Sequence, residues 1–324
     1  MTAHNVRLLK TTLAIPLLAA LAGCKMEVMD PAGYVATQQK DLVLLATWIM
    51  LLIIVPVIAV TLFFAWKYRA SNTSATYDPE FKHSTRLEIM IWGVPLVTVA
   101  VLGSVAWVTS HTLDPYRPLR ETAPGRPVPA GVKPLEVDVV ALDWKWLFIY
   151  PDLGVASVNE LALPVDRPVA FKITASSVMN SFYAPDLAGQ VYAMPGMQTQ
   201  LHAVLNKPGV YQGISANYSG AGFSGMKFKL EGLQPADFDH WVAGLKAEKA
   251  QLTRADYLQL AQPSSDEPVR HYAGVDPTLF FHILNLCVAP GQTCKSMMQD
   301  GSMHADASAS AQRLAAAGRR CPAS

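Results

Sequence analysis

The chain has 324 residues, of which 51% are apolar and only 16% charged, with a formal net charge of +1. So apolar a composition is atypical of a chain living wholly in water, and the absence of any Lys/Arg-rich stripe argues against a nucleic-acid partner. The length allows one or two domains, with part of the chain expected in lipid.

Residues 1–23 carry Arg7 and Lys10, then an apolar run from Thr11 to Ala22 and small residues before Cys24. This is the pattern of a secretory signal and not of a spanning helix. Leu21-Ala22-Gly23-Cys24 resembles the bacterial lipobox, which implies that Cys24 is diacylated and becomes the mature N-terminus. A plain signal peptide is the alternative reading.

A segment at 24–41 precedes two apolar runs, expected to be transmembrane helices at 42–66 and 87–110. Each is long enough to span a hydrocarbon core of about 30 Å. Pro56 and Pro95 fall inside them, as lipid-embedded helices tolerate. Trp48, Trp66, Trp92 and Trp107 lie toward their ends, as interfacial anchors do. The connection at 67–86 holds Lys67, Arg69, Lys82 and Arg86, whereas the segment before the first helix offers Lys25 and Lys40. This bias places the connection in the cytoplasm and both flanking parts outside it, the topology that lipid modification of Cys24 also requires.

A Pro-rich linker at 111–134 leads into short β-branched and aromatic runs separated by turn signals. Strands are expected at 135–150, 158–163, 168–174, 181–185, 198–205, 209–213 and 226–230, forming an antiparallel Greek-key sandwich over 135–232. Trp144 and Trp146 would share one strand face, as core or subunit-interface residues or, equally, as electron-transfer groups. An α-rich extension is expected at 233–295, with a helix near Asp237–Glu248 and aromatic Tyr257, Tyr272, Phe280 and Phe281. The Ala/Ser-rich tail at 296–324 reads as disordered. The fold class is therefore α+β: a transmembrane helical hairpin, an extracytoplasmic β-sandwich and a small α-rich extension.

Between Leu135 and Gly232 there is no cysteine and one histidine, His202, in alternating strand sequence. A copper site needs about three or more nitrogen or sulfur donors. Met179, Met194, Met197 and Met226 are assigned to core or interface packing. Cys287, Cys294 and Cys321 remain near the C-terminus, and an odd number cannot all pair internally. Cys287 and Cys294 flank a short Pro-Gly segment that permits a disulfide; free thiols are the other possibility.

This organisation, over about residues 24–285, resembles subunit II of the haem-copper terminal oxidases. Members that accept electrons from cytochrome c hold a binuclear copper centre, CuA, on a loop of the form C-S-E-x-C-G-x-x-H-x-x-M. Here that stretch reads Ser215-Ala216-Asn217-Tyr218-Ser219-Gly220-Ala221-Gly222-Phe223-Ser224-Gly225-Met226. Gly220 and Met226 keep register, while Ser215 and Ser219 replace the cysteines and Phe223 the histidine. Asn180 replaces the remaining histidine. Asp143-Trp144-Lys145-Trp146-Leu147-Phe148-Ile149-Tyr150 also resembles the aromatic segment of the quinol-oxidising branch.

The resemblance to that branch, the cytochrome bo type, implies a cupredoxin-like domain that binds no metal and a chain that is not itself catalytic. It implies a haem-bearing partner subunit I with copper-B, further subunits III and IV, ubiquinol as substrate of the complex and a place in the bacterial inner membrane. A glutamate at the position of Glu88, at the mouth of the second helix, lies in this family at a proton entrance; the plain reading is an interfacial carboxylate near Arg86. Two other readings are a CuA-bearing subunit, for which the ligands are missing, and a separate lipoprotein that binds copper or an assembly partner through Met297, Met298, Met303 and His304.

Overall fold

The computed structural model describes residues 27–76 and 79–296. The signal segment, Cys24, Cys321 and the tail beyond Ser296 lie outside the described residues. Helix α1 runs over Tyr34–Lys67 and helix α2 over Thr85–Thr112. Both are long and apolar enough to cross a membrane, and their apolar side chains face outward and not into a core. In water such exposure is unfavourable; a bilayer removes the penalty. The four expected anchors, Trp48, Trp66, Trp92 and Trp107, are all exposed on these helices.

Helix α1 is longer than its apolar run. Its 34 residues span roughly 50 Å at 1.5 Å each, against a hydrocarbon core of about 30 Å. The first turns, Tyr34 to Lys40, therefore emerge from the membrane and meet the sandwich. There the amides of Ala32 and Gly33 donate to the Asp186 carbonyl (3.0 and 2.7 Å), and the Tyr34 amide donates to Val204 (3.0 Å). A Cβ on Gly33 would lie 2.3 Å from the Leu187 carbonyl oxygen, so this crossing needs glycine.

The small hairpin β1 (Glu121–Ala123) and β2 (Arg126–Pro127) precedes the sandwich. Its strands are β3 (Leu135–Leu142), β4 (Lys145–Tyr150), β5 (Val155–Val158), β6 (Glu160–Pro164), β7 (Val169–Ala175), β8 (Asn180–Tyr183), β9 (Val191–Ala193), β10 (Thr199–Ala203), β11 (Gly209–Ser215) and β12 (Lys227–Leu233). Helix α3 (Pro235–Ala247), β13 (Gln251–Leu252), helix α4 (Arg254–Leu260), β14 (Arg270–Tyr272), β15 (Gly274–Val275) and helix α5 (Leu279–Leu284) complete the chain. One sheet has the order β10-β7-β3-β4-β5-β14, the other β6-β12-β11-β8-β9.

Four details differ from the sequence reading. The run 135–150 is not one strand: β3 and β4 pair antiparallel, with Leu142 opposite Lys145 and Asp143-Trp144 as the turn. Trp144 takes φ 69° there, a conformation unusual for a bulky residue, so no glycine or asparagine marked the turn. Trp144 and Trp146 consequently do not share a strand face. Likewise Asn159, at φ 56°, divides 158–163 into β5 and β6; asparagine tolerates that region.

The sandwich is also not purely antiparallel, because β3 pairs parallel with β7 and β6 with β12. Finally, the extension is not only helical: β14 completes the larger sheet by pairing with β5.

That last contact explains the composition of β4, which is buried along its whole length. Trp146, Phe148 and Tyr150 face the other sheet, where Phe182 and Phe228 stack at 5.2 Å and Phe148 meets Phe228 edge-on at 5.1 Å. Leu147 and Ile149 point the opposite way, under Leu252, Tyr257, Leu260, Leu279 and Ile283 of the extension. A strand covered on both faces loses the polar half of its alternation.

Asp138, on β3, is buried with Oδ1 lacking any hydrogen-bond partner among the described residues. Burial pushes its carboxyl up to about 7, against the opposing pull of Lys172. The folded chain thus holds this proton where the unfolded chain releases it, so the residue's contribution to stability falls as pH rises from about 4 to about 7. Asp138→Asn is expected to raise stability at pH 8 by a few kcal/mol, at most about 4, and to have little effect near pH 4. Denaturant midpoints at the two pH values check this.

Candidate functional site

The five positions at which the resemblance places copper ligands lie at one end of the smaller sheet. Asn180 opens β8, Ser215 closes β11 and Met226 leads into β12. Asn180, Ser215 and Met226 are buried. The Ser215 hydroxyl donates to Asn180 Oδ1 (3.1 Å), and the Asn180 amide group donates to the Val178 carbonyl (3.2 Å). The Ser215 amide donates to Met226, and the Met226 amide to Phe223, both at 3.1 Å. The fold brings Asn180, Ser215 and Met226 together.

The other two positions turn elsewhere. Phe223 packs edge-on against Tyr218 with ring centroids 5.6 Å apart. The carbonyl of Ser219 accepts from the Trp144 indole (3.1 Å), while its hydroxyl is buried without a partner among the described residues. Trp144 also explains the glycines of the loop. A Cβ on Gly222 would fall 2.4 Å from Trp144 Cδ2, and one on Gly220, which has φ 117°, 3.1 Å from Cζ2. Trp144 is thus the floor on which the ligand loop is laid.

CuA does not fit this donor set. The loop supplies two hydroxyls, one amide, one phenyl ring and one thioether where soft thiolates and imidazoles are needed. The Ser215 hydroxyl and the Asn180 amide are already engaged with each other. His202 is no substitute, since it lies on β10 of the larger sheet and not at the end of the smaller sheet that carries the loop. The four methionines form no thioether cluster either: Met226 is core, whereas Met179 and Met197 are exposed.

A second cluster is legible in the sequence only in part, as a permitted Cys287–Cys294 disulfide without His282 and Arg254. Cys287 and Cys294 form a disulfide, and His282 Nδ1 lies 3.3 Å from Cys287 Sγ. The Arg254 guanidinium faces His282 Nε2. Arginine only donates, so Nε2 accepts and Nδ1 carries the proton toward the sulfurs. A histidine five residues before a Cys-x6-Cys pair was the available signal. Glu88 stands in the first turn of α2, far along the chain from both clusters, with Oε1 3.4 Å from His83 Nδ1 and both side chains exposed.

A sandwich of this topology on a helical hairpin, with a metal-less ligand loop, defines the class: subunit II of the respiratory oxidases. Residues 149–233 match the family of the cytochrome c oxidase subunit II periplasmic domain, and residues 246–291 the COX aromatic-rich motif. The chain is 50% identical over 260 residues to cytochrome bo(3) ubiquinol oxidase subunit 2 of Pseudomonas putida, covering 80% of each. It is 49% identical to ubiquinol oxidase subunit 2 of Acetobacter aceti, over 80% of this chain and 82% of the relative. It is 34% identical to quinol oxidase subunit 2 of Bacillus cereus, over 79% and 86%. The chain belongs to the quinol oxidase subunit 2 family.

The loop's dependence on Trp144 is open to a direct check. Gly222→Ala is expected to destabilise the sandwich by about 1–3 kcal/mol, as overpacking does. The midpoint of denaturant unfolding followed by tryptophan fluorescence measures it.

Proposed function

We propose that this chain is the non-redox subunit 2 of a proton-pumping terminal oxidase that oxidises ubiquinol and reduces O2 to water. The observation that carries the reading is the donor set at Asn180, Ser215, Ser219, Phe223 and Met226, which offers neither thiolate nor imidazole at the positions of a copper ligand loop. An electron relay in the sandwich has nothing to reside on. A lipid-soluble quinol instead delivers electrons within the bilayer, to the haems and copper-B of subunit I. Ubiquinol itself is favoured by the relatives near 50% identity, whose names specify it.

In this reading the hairpin α1–α2 clamps subunit I, the sandwich caps it on the outer face, and subunits III and IV complete the complex. Residues 1–23 are a signal removed before Cys24, whose thiol carries the lipid. The spans 42–66 and 87–110 place the loop 67–86 in the cytoplasm and the linker 111–134, sandwich 135–232, extension 233–295 and tail 296–324 outside it, at the inner membrane. Glu88, exposed at the start of α2, gathers protons for the partner subunit. Its contact with His83 keeps a second titratable group at the same mouth.

Purified with its partners, the oxidase is expected to turn over with ubiquinol and not with reduced cytochrome c. Turnover with cytochrome c, or stoichiometric CuA in residues 135–232, overturns the reading. Glu88→Ala is expected to reduce turnover and proton pumping severalfold, by about 1 kcal/mol or more in barrier; unchanged rates remove the role. The mature chain should carry the mass of a diacylglyceryl cysteine at its N-terminus, and Cys24→Ser should lose it.

A further inference from the structure

A cleft of about 340 Å³ opens where the sandwich meets the outer ends of α1 and α2. Val35 and Leu201 contribute an apolar floor, and the rim carries charges of both signs: Arg117 and Arg120, Asp114 and Glu121. These groups are only partly committed. One Asp114 oxygen accepts from the Tyr116 amide (2.9 Å), and Glu121 accepts from the Tyr34 hydroxyl (2.9 Å). Arg117 reaches the His111 carbonyl through one nitrogen (3.5 Å), and the Arg120 side chain makes no hydrogen bond among the described residues. Five guanidinium N–H donors and several carboxylate lone pairs per group leave capacity for a ligand.

The depth of the cleft says what reaches it. Gln38 and Gln39 line it and precede the apolar run that starts at Leu42; Thr112 lines it from the end of α2. At 1.5 Å per residue the mouth stands roughly 5 Å outside the hydrocarbon edge. Headgroups occupy a layer about 5–7 Å thick on each side of that core. The cleft is therefore at headgroup level, beside two helix surfaces along which acyl chains can lie.

We infer that this cleft binds the headgroup of a zwitterionic aminophospholipid from the leaflet on the sandwich side. Arg117 and Arg120 take the phosphate, to which the planar guanidinium fork is matched, and Asp114 and Glu121 take the ammonium. An anionic glycerol headgroup or free phosphate would meet the arginines equally well but leave both carboxylates facing negative charge. The bound lipid fills the corner between hairpin and sandwich and braces one against the other.

The test is lipid mass spectrometry on the complete oxidase after extensive detergent washing. The wild type is expected to retain one tightly held ethanolamine-type lipid that the double variant Arg117→Gln/Arg120→Gln releases about tenfold more readily. Asp114→Asn is expected to shift the retained lipid toward glycerol headgroups. Haem content equal to wild type shows that each variant is assembled, and the single variant Arg120→Gln, which breaks no protein contact, provides the same readout if the double variant is not. Equal retention in wild type and variants overturns the proposal. So does a glycerol-type lipid in the wild type, or displacement of the lipid by inorganic phosphate alone.

Discussion

Five backbone hydrogen bonds between residues 32–34 and the loops around Asp186 and Val204 join the membrane part of this chain to its water-facing part. The start of a helix leaves N–H groups without partners, and α1 has no capping side chain. Sandwich carbonyls take that role, with the Asn206 amide in return donating to Ala32 (2.8 Å). A helix capped by another domain is held in direction as well as position. The corner that results, between the emergent turns of α1, the end of α2 and the sandwich, exists only because of this junction.

The same economy of surfaces governs the sandwich. Its larger sheet is covered on one face by the smaller sheet and on the other by the extension, so the aromatic-rich motif is part of one continuous body with the cupredoxin-like strands. Buried polar groups at these seams are matched. The Lys145 ammonium donates to the Gln262 carbonyl and Ser264, and Glu160 receives His271 (2.7 Å) and Trp241 (3.3 Å). Each bond ties the larger sheet or its neighbour to the extension. Asp138, the Trp146 indole and the Ser219 hydroxyl are the exceptions among the described residues, and the displaced proton affinity of Asp138 is the physical signature of an unmatched carboxylate.

In a copper-bearing relative of this loop a metal would fasten β8 to the β11–β12 connection. Here the Ser215–Asn180 hydrogen bond spans the same gap, and Trp144 supports the glycines from below. The loop's shape is therefore maintained by packing and neutral hydrogen bonds, which need no redox chemistry to persist. A chain in the quinol oxidase subunit 2 family can keep this architecture without thiolate or imidazole in the loop.

The two spans, the change to short strands after the linker and the absence of copper donors were all legible in the chain, because each depends on residue type and local period alone. Two runs of twenty-odd almost wholly apolar residues are long enough to cross a bilayer, and serine, asparagine and phenylalanine are poor copper ligands in any fold. The turn at Trp144, the parallel pairs β3–β7 and β6–β12 and the strand β14 within the extension were decided only in three dimensions. Trp144 holds a left-handed conformation in the two-residue turn between Leu142 and Lys145, and its indole is bonded to the Ser219 carbonyl across some 75 residues. Strand partners and side-chain clusters are likewise set by which distant surfaces must be buried together, and no local pattern in the sequence carries that information.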